Sequence, residues 1–125
     1  MADSPIDLVC DFCAAWSRLD VEELMGYFTE DATYHNMPGP PARGVDAIRR
    51  TIDGFVRGWD QTDWEIVSIA ASDNTVLVER MDRTDAGAKH VELPVVGVFE
   101  IEDGKIRAWR DYFDLATYAR AMSQT

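Results

Sequence analysis

The run Asn74-Thr75-Val76-Leu77-Val78-Glu79-Arg80-Met81-Asp82 is typical of a buried β-strand, except that Arg80 and Asp82 lie two residues apart near its end. Side chains on a strand alternate between its two faces. One face therefore carries two valines followed by a cation and a carboxylate: Val76, Val78, Arg80 and Asp82. Charges placed against an apolar core are costly unless they are paired. The run thus predicts a strand that ends in a polar site.

Two further segments show the same combination of polar and apolar groups. In the run from Trp109 to Phe113, Asp111 lies between these two aromatic residues on one strand face. Tyr34 and Asn36 share a face of an earlier strand. If the three strands converge, the chain has a polar site at the bottom of an apolar pocket.

The order of predicted elements indicates an α+β domain. Ser4 precedes Pro5 in a helix-start pattern, and the apolar stripe of this first helix extends to about Leu19. Asp20 begins a shorter helix, and a third helix follows Gly44. Strands are predicted at residues 32–37, 64–71, 75–84, 90–102 and 105–113, with a final helix at 114–122.

Length, charge and hydropathy narrow the possible functions. The 125 residues predict a single domain, 1–125. The net charge of −11 argues against nucleic acid and anionic membranes as partners. Apolar stretches are too short to span a bilayer, and the beginning of the chain, Met1-Ala2-Asp3-Ser4-Pro5, lacks the pattern of a secretory signal. We therefore expect a cytoplasmic location.

The cysteine and histidine residues do not predict a redox or metal centre. Cys10 and Cys13 have CxxC spacing but fall inside an amphipathic helical pattern, which favours a packing role. His35 and His90 lack ligand spacing; His35 should face away from Tyr34, and His90 should be exposed. We expect no metal.

Several sequence segments, in their order and spacing along the chain, resemble the limonene-1,2-epoxide hydrolase family within the nuclear-transport-factor-like cone fold. They are Tyr34-His35-Asn36-Met37-Pro38, Glu79-Arg80-Met81-Asp82, Gly97-Val98-Phe99, Gly104-Lys105-Ile106 and Trp109-Arg110-Asp111-Tyr112-Phe113-Asp114-Leu115. The resemblance implies a strongly curved, mixed, mostly antiparallel sheet packed against the N-terminal helices. This sheet would form a cone with a deep apolar pocket. A homodimer through the outer face of the sheet is also implied.

The resemblance also implies roles for five polar residues in opening a small apolar, cyclic epoxide to a trans vicinal diol. Asp111 looks like the general base, acting on a water that Tyr34 and Asn36 hold. Asp82 looks like the general acid that protonates the epoxide oxygen, and Arg80 looks like a bridge between the carboxylates. Such chemistry needs an acid that is neutral near pH 7, which burial and a neighbouring carboxylate favour. It requires no organic cofactor.

The resemblance further suggests a set of substrate-binding residues: Met37, Phe55, Trp64, Leu93, Val95, Phe113 and Tyr118. Thr84-Asp85 departs from the family, which tends to be more apolar after the position of Asp82. Asp114 should cap the last helix.

Three alternatives remain open. Arg80, Asp82 and Asp111 could form a structural ion-pair network at the rim of the sheet. The same cone could also serve an isomerase or cyclase that removes a proton next to a carbonyl, although an arginine bridging two carboxylates would make an awkward oxyanion hole. Finally, the domain could bind a small ligand without catalysis.

Overall fold

The computed structural model describes residues 4–123, which form four α-helices and a six-stranded sheet. The expected absence of a secretory signal depends in part on residues 1–3, which lie outside the described residues. The helices are α1 (Pro5–Ala15), α2 (Val21–Met25), α3 (Val45–Val56) and α4 (Leu115–Met122), with a 3₁₀ helix at Trp16–Arg18. No helix within the described range is long and apolar enough to cross a membrane.

The predicted helix starts are confirmed by their caps. Ser4 accepts a hydrogen bond from the Asp7 amide, and Asp114 accepts one from the Thr117 amide. Asp20 caps α2 through the Glu22 and Glu23 amides. Each cap satisfies amide groups that have no partner within the helix.

The sheet is mixed and mostly antiparallel, as predicted. Its strands are β1 (Phe28–Asn36), β2 (Ala42–Arg43), β3 (Gln61–Ser72), β4 (Thr75–Ala86), β5 (Lys89–Glu102) and β6 (Lys105–Tyr112), in the order β2-β1-β6-β5-β4-β3. Only the β1–β6 pair is parallel among these neighbours. The β5–β6 hairpin turns at Asp103 and Gly104, which both have positive φ, as the sequence pattern Asp-Gly favours.

Two features of the sheet differ from the sequence prediction. The first strand begins at Phe28 rather than residue 32, because its first residues pair with the start of β6 despite polar side chains. The two-residue strand β2 was not predicted; it lies in a segment that follows two prolines, where a strand signal is weak.

The sheet is curved, and α1 and α3 pack against it. Register shifts occur in the β1–β6, β3–β4 and β5–β6 pairs, and such irregularities bend a sheet and increase its twist. The buried face of β4 carries Val76, Val78, Arg80, Asp82 and Thr84, which confirms the predicted alternation.

An aromatic core lies beneath the polar end of this face. Phe12 of α1 contacts Trp16, Phe28, Phe99 and Trp109 edge-on. Trp16 and Trp109 are fully buried. These rings form an apolar layer against which the charged side chains lie.

Candidate active site

Strand register brings the predicted polar residues together. Asn36 pairs with Asp111 across the parallel β1–β6 ladder, and Asp111 pairs with Gly97 across β5–β6. Arg80 and Asp82 reach the same region from β4, one strand further on, because β4 lies next to β5. Four neighbouring strands, β1, β6, β5 and β4, therefore build the site.

Arg80 bridges the two carboxylates. Its Nε and Nη2 donate to Asp82 Oδ1 and Oδ2 at 2.8 and 2.9 Å. Its Nη1 and Nη2 donate to Asp111 Oδ1 and Oδ2 at 3.0 and 2.7 Å. Both contacts are bidentate, a geometry that the planar guanidinium group permits and an ammonium group does not.

All three charged groups are removed from solvent. The exposed fractions are 1% for Arg80, 8% for Asp82 and 3% for Asp111. The guanidinium carbon of Arg80 lies 4.3 Å from the centroid of the Trp64 ring, which is a cation–π contact. The charges are therefore compensated by one another and by an aromatic face rather than by water.

Trp109 fixes two members of the site at once. Its indole Nε1 donates to Asp111 Oδ1 at 2.6 Å. Its ring stacks on Tyr34, with centroids 4.0 Å apart and an interplanar angle of 6°. The sequence pattern indicated Trp109 only as an apolar neighbour of Asp111, although a buried indole N–H normally requires an acceptor.

Gly97 leaves room for the charged groups. A Cβ atom at this position would lie 2.8 Å from Arg80 Nη1 and 2.9 Å from Asp111 Oδ1. The residue lies inside β5, where a glycine otherwise weakens a strand. No site role was predicted for Gly97, although a glycine inside an apolar strand can indicate that another group approaches the backbone closely.

The two carboxylates differ in the hydrogen bonds that they accept. Asp111 accepts three hydrogen bonds, two from Arg80 and one from Trp109, whereas Asp82 accepts two from Arg80. Burial raises the pKa of Asp82 to about 6, against the opposing effect of Arg80 and with a further increase from Asp111. Burial therefore favours the protonated form of Asp82.

The other polar groups hold their protons. Burial raises the pKa of the Tyr34 hydroxyl above its usual range, and Asp111 adds to this effect. Burial disfavours the charged form of Arg80, but Asp111 and Asp82 outweigh it and raise its pKa. Tyr34 is therefore a neutral hydrogen-bond donor and Arg80 a permanent cation.

A cavity of about 250 Å³ opens onto this site. Tyr34, Asn36, Asp82 and Asp111 lie in its wall. Six residues expected as substrate-binding also line it: Phe55, Trp64, Leu93, Val95, Phe113 and Tyr118. The polar groups thus lie in a predominantly apolar cavity.

The seventh residue expected as substrate-binding, Met37, lies elsewhere. Met37 is not among the residues that line the cavity, and 37% of its surface is exposed. It follows Asn36 directly, so the alternation of the strand directs it away from the face that carries Tyr34 and Asn36. The cavity has further lining residues that were not predicted: Trp16, Pro38, Gly39, Trp59, Thr84, Val91, Leu115 and Met122. Alternation along β4 and β5 could have indicated Thr84 and Val91, which share strand faces with Asp82 and Leu93.

The remaining polar residues lie where the sequence indicated. His35 does not line the cavity, and its Nε2 donates a hydrogen bond to the Gly39 carbonyl oxygen at 2.8 Å. His90 is exposed, and Cys13 is a buried free cysteine. Among residues 4–123 there is no group of three or more His, Cys, Asp and Glu side chains that could hold a metal ion.

Residues 9–109 match the SnoaL-like domain family, and the chain belongs to this family. It is 34% identical over 106 residues to epoxide hydrolase EphG of Mycobacterium tuberculosis, covering 83% of this chain and 69% of that protein. The structure of an LEH-like epoxide hydrolase from M. tuberculosis is 32% identical, with a TM-score of 0.76 and coverage of 94% and 91% of the two chains. These similarities confirm the resemblance drawn from the motifs.

A more distant structure shows that the fold is shared with proteins of other activity. SalBIII is described as an epoxide hydrolase/cyclase-like enzyme in pyran ring formation in the polyether salinomycin. It superimposes with a TM-score of 0.81 over 90% of this chain and 92% of its own, at 21% identity. At this identity the likeness establishes the fold and not the reaction.

We predict that Gly97→Ala disrupts the site. The added methyl group must displace Arg80 or Asp111, so the variant should lose about 1–3 kcal/mol of unfolding free energy through overpacking and most of its activity. Gly54→Ala is the matched control, since no atom lies within 4 Å of its Cβ position and it lies within α3. It should gain up to about 1 kcal/mol from helix propensity. Chemical denaturation of both variants measures the difference, and equal stability would contradict the close approach.

Proposed function

We propose that the protein is a cofactor-independent epoxide hydrolase that adds water in one step to a small, mostly apolar epoxide of the limonene-1,2-epoxide type, giving a trans vicinal diol. The observation that carries this proposal is the unequal pair of buried carboxylates on one arginine, in the wall of an apolar cavity. One carboxylate is suited to give a proton and the other to take one, which is the combination that epoxide opening needs.

The roles follow from the hydrogen bonds. Asp82, protonated, donates its proton to the epoxide oxygen as the C–O bond breaks. Asp111, ionised and oriented by Arg80 and Trp109, takes a proton from the attacking water. Tyr34 and Asn36 lie in the cavity wall beside Asp111 and orient that water. The water oxygen bonds to one epoxide carbon as the other oxygen leaves its opposite side, so the product is a trans diol.

The proton count of the pair is unchanged by turnover. Asp82 loses one proton and Asp111 gains one, so one proton remains on the two carboxylates throughout. Arg80 contacts both and keeps its charge, since its pKa is raised by them. Transfer of the proton from Asp111 back to Asp82 restores the starting state.

The geometry is less suited to an isomerase or cyclase that acts next to a carbonyl. Such an enzyme stabilises an oxyanion with neutral donors near one carboxylate base. Here the strongest donor, Arg80, is 1% exposed and directs its N–H groups to two carboxylates. A substrate that carries its own hydroxyl could still replace water and close a cyclic ether, so the product distinguishes hydrolase from cyclase.

We also propose a homodimer through the outer face of the sheet. Four large apolar side chains are exposed on strands β3 to β6: Val67, Leu77, Val96 and Tyr112. Contact between two such faces would remove this apolar surface from water. The cytoplasmic location expected from the sequence remains part of the proposal.

The direct test is incubation with cyclohexene oxide and with limonene-1,2-epoxide, followed by chromatography of the products. A trans diol formed faster than in a blank supports the proposal. Cyclohexene oxide has no internal nucleophile, so its conversion cannot be attributed to a cyclase. Absence of turnover on both, with a folded protein, would favour a ligand-binding role instead.

We predict that Asp82→Asn and Asp111→Asn each reduce kcat by about 10²–10⁴-fold, because each removes one half of a concerted proton transfer. The control is Asp103→Asn in the exposed β5–β6 turn, where Asn tolerates the positive φ and activity should be retained. Circular dichroism should show that all three variants fold. Retention of more than about a tenth of wild-type activity in either site variant would reject the assigned roles.

Arg80→Lys should be severely impaired as well. Lysine keeps the positive charge but cannot donate two bonds to each carboxylate, as the guanidinium group does. If the lysine variant is near wild type in kcat/KM, Arg80 supplies charge balance only and the bridging role is wrong.

We predict that kcat/KM declines as pH rises through about 6, because Asp82 must carry a proton and its pKa is raised to about 6 by burial. The raised pKa of Asp82 also makes the free energy of unfolding depend on pH. Because the folded protein binds this proton more tightly than the unfolded chain does, the free energy of unfolding should decrease as pH rises from about 4 to about 6. Asp82→Asn should remove that decrease. A rate that is flat from pH 5 to 9, corrected for unfolding, would exclude Asp82 as the proton donor.

A further inference from the structure

Three buried side chains beside the active site form a chain of hydrogen bonds. Trp64 Nε1 lies 3.1 Å from Thr62 Oγ1, and Thr62 Oγ1 lies 2.7 Å from Thr84 Oγ1. Thr62 is 2% exposed and Thr84 6% exposed, and they are cross-strand partners in β3 and β4. Thr84 also lines the cavity, two residues beyond Asp82 on the same strand face.

The direction of the hydrogen bonds in this chain can be assigned. An indole N–H can only donate, so Thr62 Oγ1 accepts from Trp64. The single proton of Thr62 has the Arg83 carbonyl oxygen as a partner at 3.3 Å. Thr84 then donates to Thr62, which gives each of the three donors an acceptor. In the reverse direction the Arg83 carbonyl oxygen would lose the Thr62 proton, and the Thr84 proton would have no acceptor among the residues that the structure describes, so the first direction satisfies more of these groups.

This assignment leaves Thr84 as an acceptor toward the cavity. Its proton goes to Thr62, so both lone pairs of its oxygen are free to accept, and Thr84 lines the cavity on the same strand face as Asp82. A hydroxyl group on a bound molecule would donate to this oxygen. A carbonyl or ether oxygen would meet it lone pair to lone pair, and a hydrocarbon would leave it without a hydrogen-bond partner.

The position of Thr84 sets where that hydroxyl must be. Residues two apart on a strand are separated by about 6–7 Å. Asp82, the proposed acid, contacts the epoxide oxygen. A donor that reaches Thr84 therefore lies about 6–7 Å from the epoxide oxygen, across a six-membered ring from it.

We propose that Thr84 is a specificity-determining residue that accepts a hydrogen bond from a substrate hydroxyl, so that the preferred substrates are hydroxylated apolar epoxides rather than plain hydrocarbon epoxides. This inference rests on the proposed hydrolase function and names its substrate class.

The test compares three epoxides that share one ring. They are 1,2-epoxy-p-menthane, its 8-hydroxy derivative, and the 4-acetyl-1-methylcyclohexane 1,2-epoxide, whose side chain ends in a carbonyl. The wild-type protein should show the highest kcat/KM for the hydroxy compound, by roughly fivefold over the hydrocarbon as one net hydrogen bond allows. The carbonyl compound should be no better than the hydrocarbon.

Substitutions of Thr84 test whether this residue causes the preference for the hydroxy epoxide. In Thr84→Val, which keeps the side-chain shape, the ratio of kcat/KM between hydroxy and hydrocarbon epoxides should decrease to about one, and Thr84→Ser should retain it. Thr51→Val on α3 is the matched control and should keep the wild-type ratio, since Thr51 does not line this cavity. A wild-type ratio near one, a preference for the carbonyl compound, or a preference that survives in Thr84→Val would each overturn the inference.

Binding of non-reactive analogues tests the hydroxyl-binding role of Thr84 independently of the proposed hydrolase activity. Quenching of tryptophan fluorescence by p-menthan-8-ol and p-menthane reports binding without turnover. If no epoxide is converted but the alcohol binds more tightly and loses its advantage in Thr84→Val, the hydrolase proposal fails while the hydroxyl site stands. If epoxides are converted but neither rates nor binding depend on Thr84, only the inference fails.

Discussion

The burial of Arg80 between Asp82 and Asp111 is the interaction on which the rest of this structure depends. Two ionised carboxylates and one guanidinium group would leave a net negative charge in a region with little solvent access. A low-dielectric environment opposes such a charge, and the simplest relief is to bind one proton. Burial therefore raises the pKa of Asp82 and favours its protonated form, whereas Asp111 accepts a further hydrogen bond from Trp109.

The surrounding structure accommodates this burial. Gly97 lacks the side chain that would collide with Arg80 and Asp111. Trp64 offers its ring to the guanidinium group, and Thr62 in turn accepts the indole N–H of Trp64. The same constraint explains why bulky aromatic residues lie so near the charges, since they exclude water and strengthen the remaining electrostatic interactions.

The sequence predicted the parts of the site that depend on alternation along one strand. Arg80 with Asp82, and Trp109 with Asp111, share a face because they are two residues apart. Their convergence depends on the parallel pairing of β1 with β6 and on register shifts that bend the sheet. The spacing of apolar residues along one strand predicts neither of these features. The resemblance to a known family supplied that step. The resemblance also suggested Met37 for the pocket, whereas alternation directs it away from the face of Asn36, and the structure leaves it outside the cavity wall.

The most direct test of a water-attack mechanism is a single turnover in ¹⁸O-water with enzyme in excess over epoxide. If Asp111 activates a water, the first diol carries ¹⁸O and peptides that contain Asp111 remain unlabelled. If a carboxylate attacked the carbon instead, it would form an ester that water later cleaves, and the first diol would carry an oxygen from the protein. Labelled diol with unlabelled Asp111 is the result that this account predicts. Unlabelled diol together with ¹⁸O in Asp111 would contradict it.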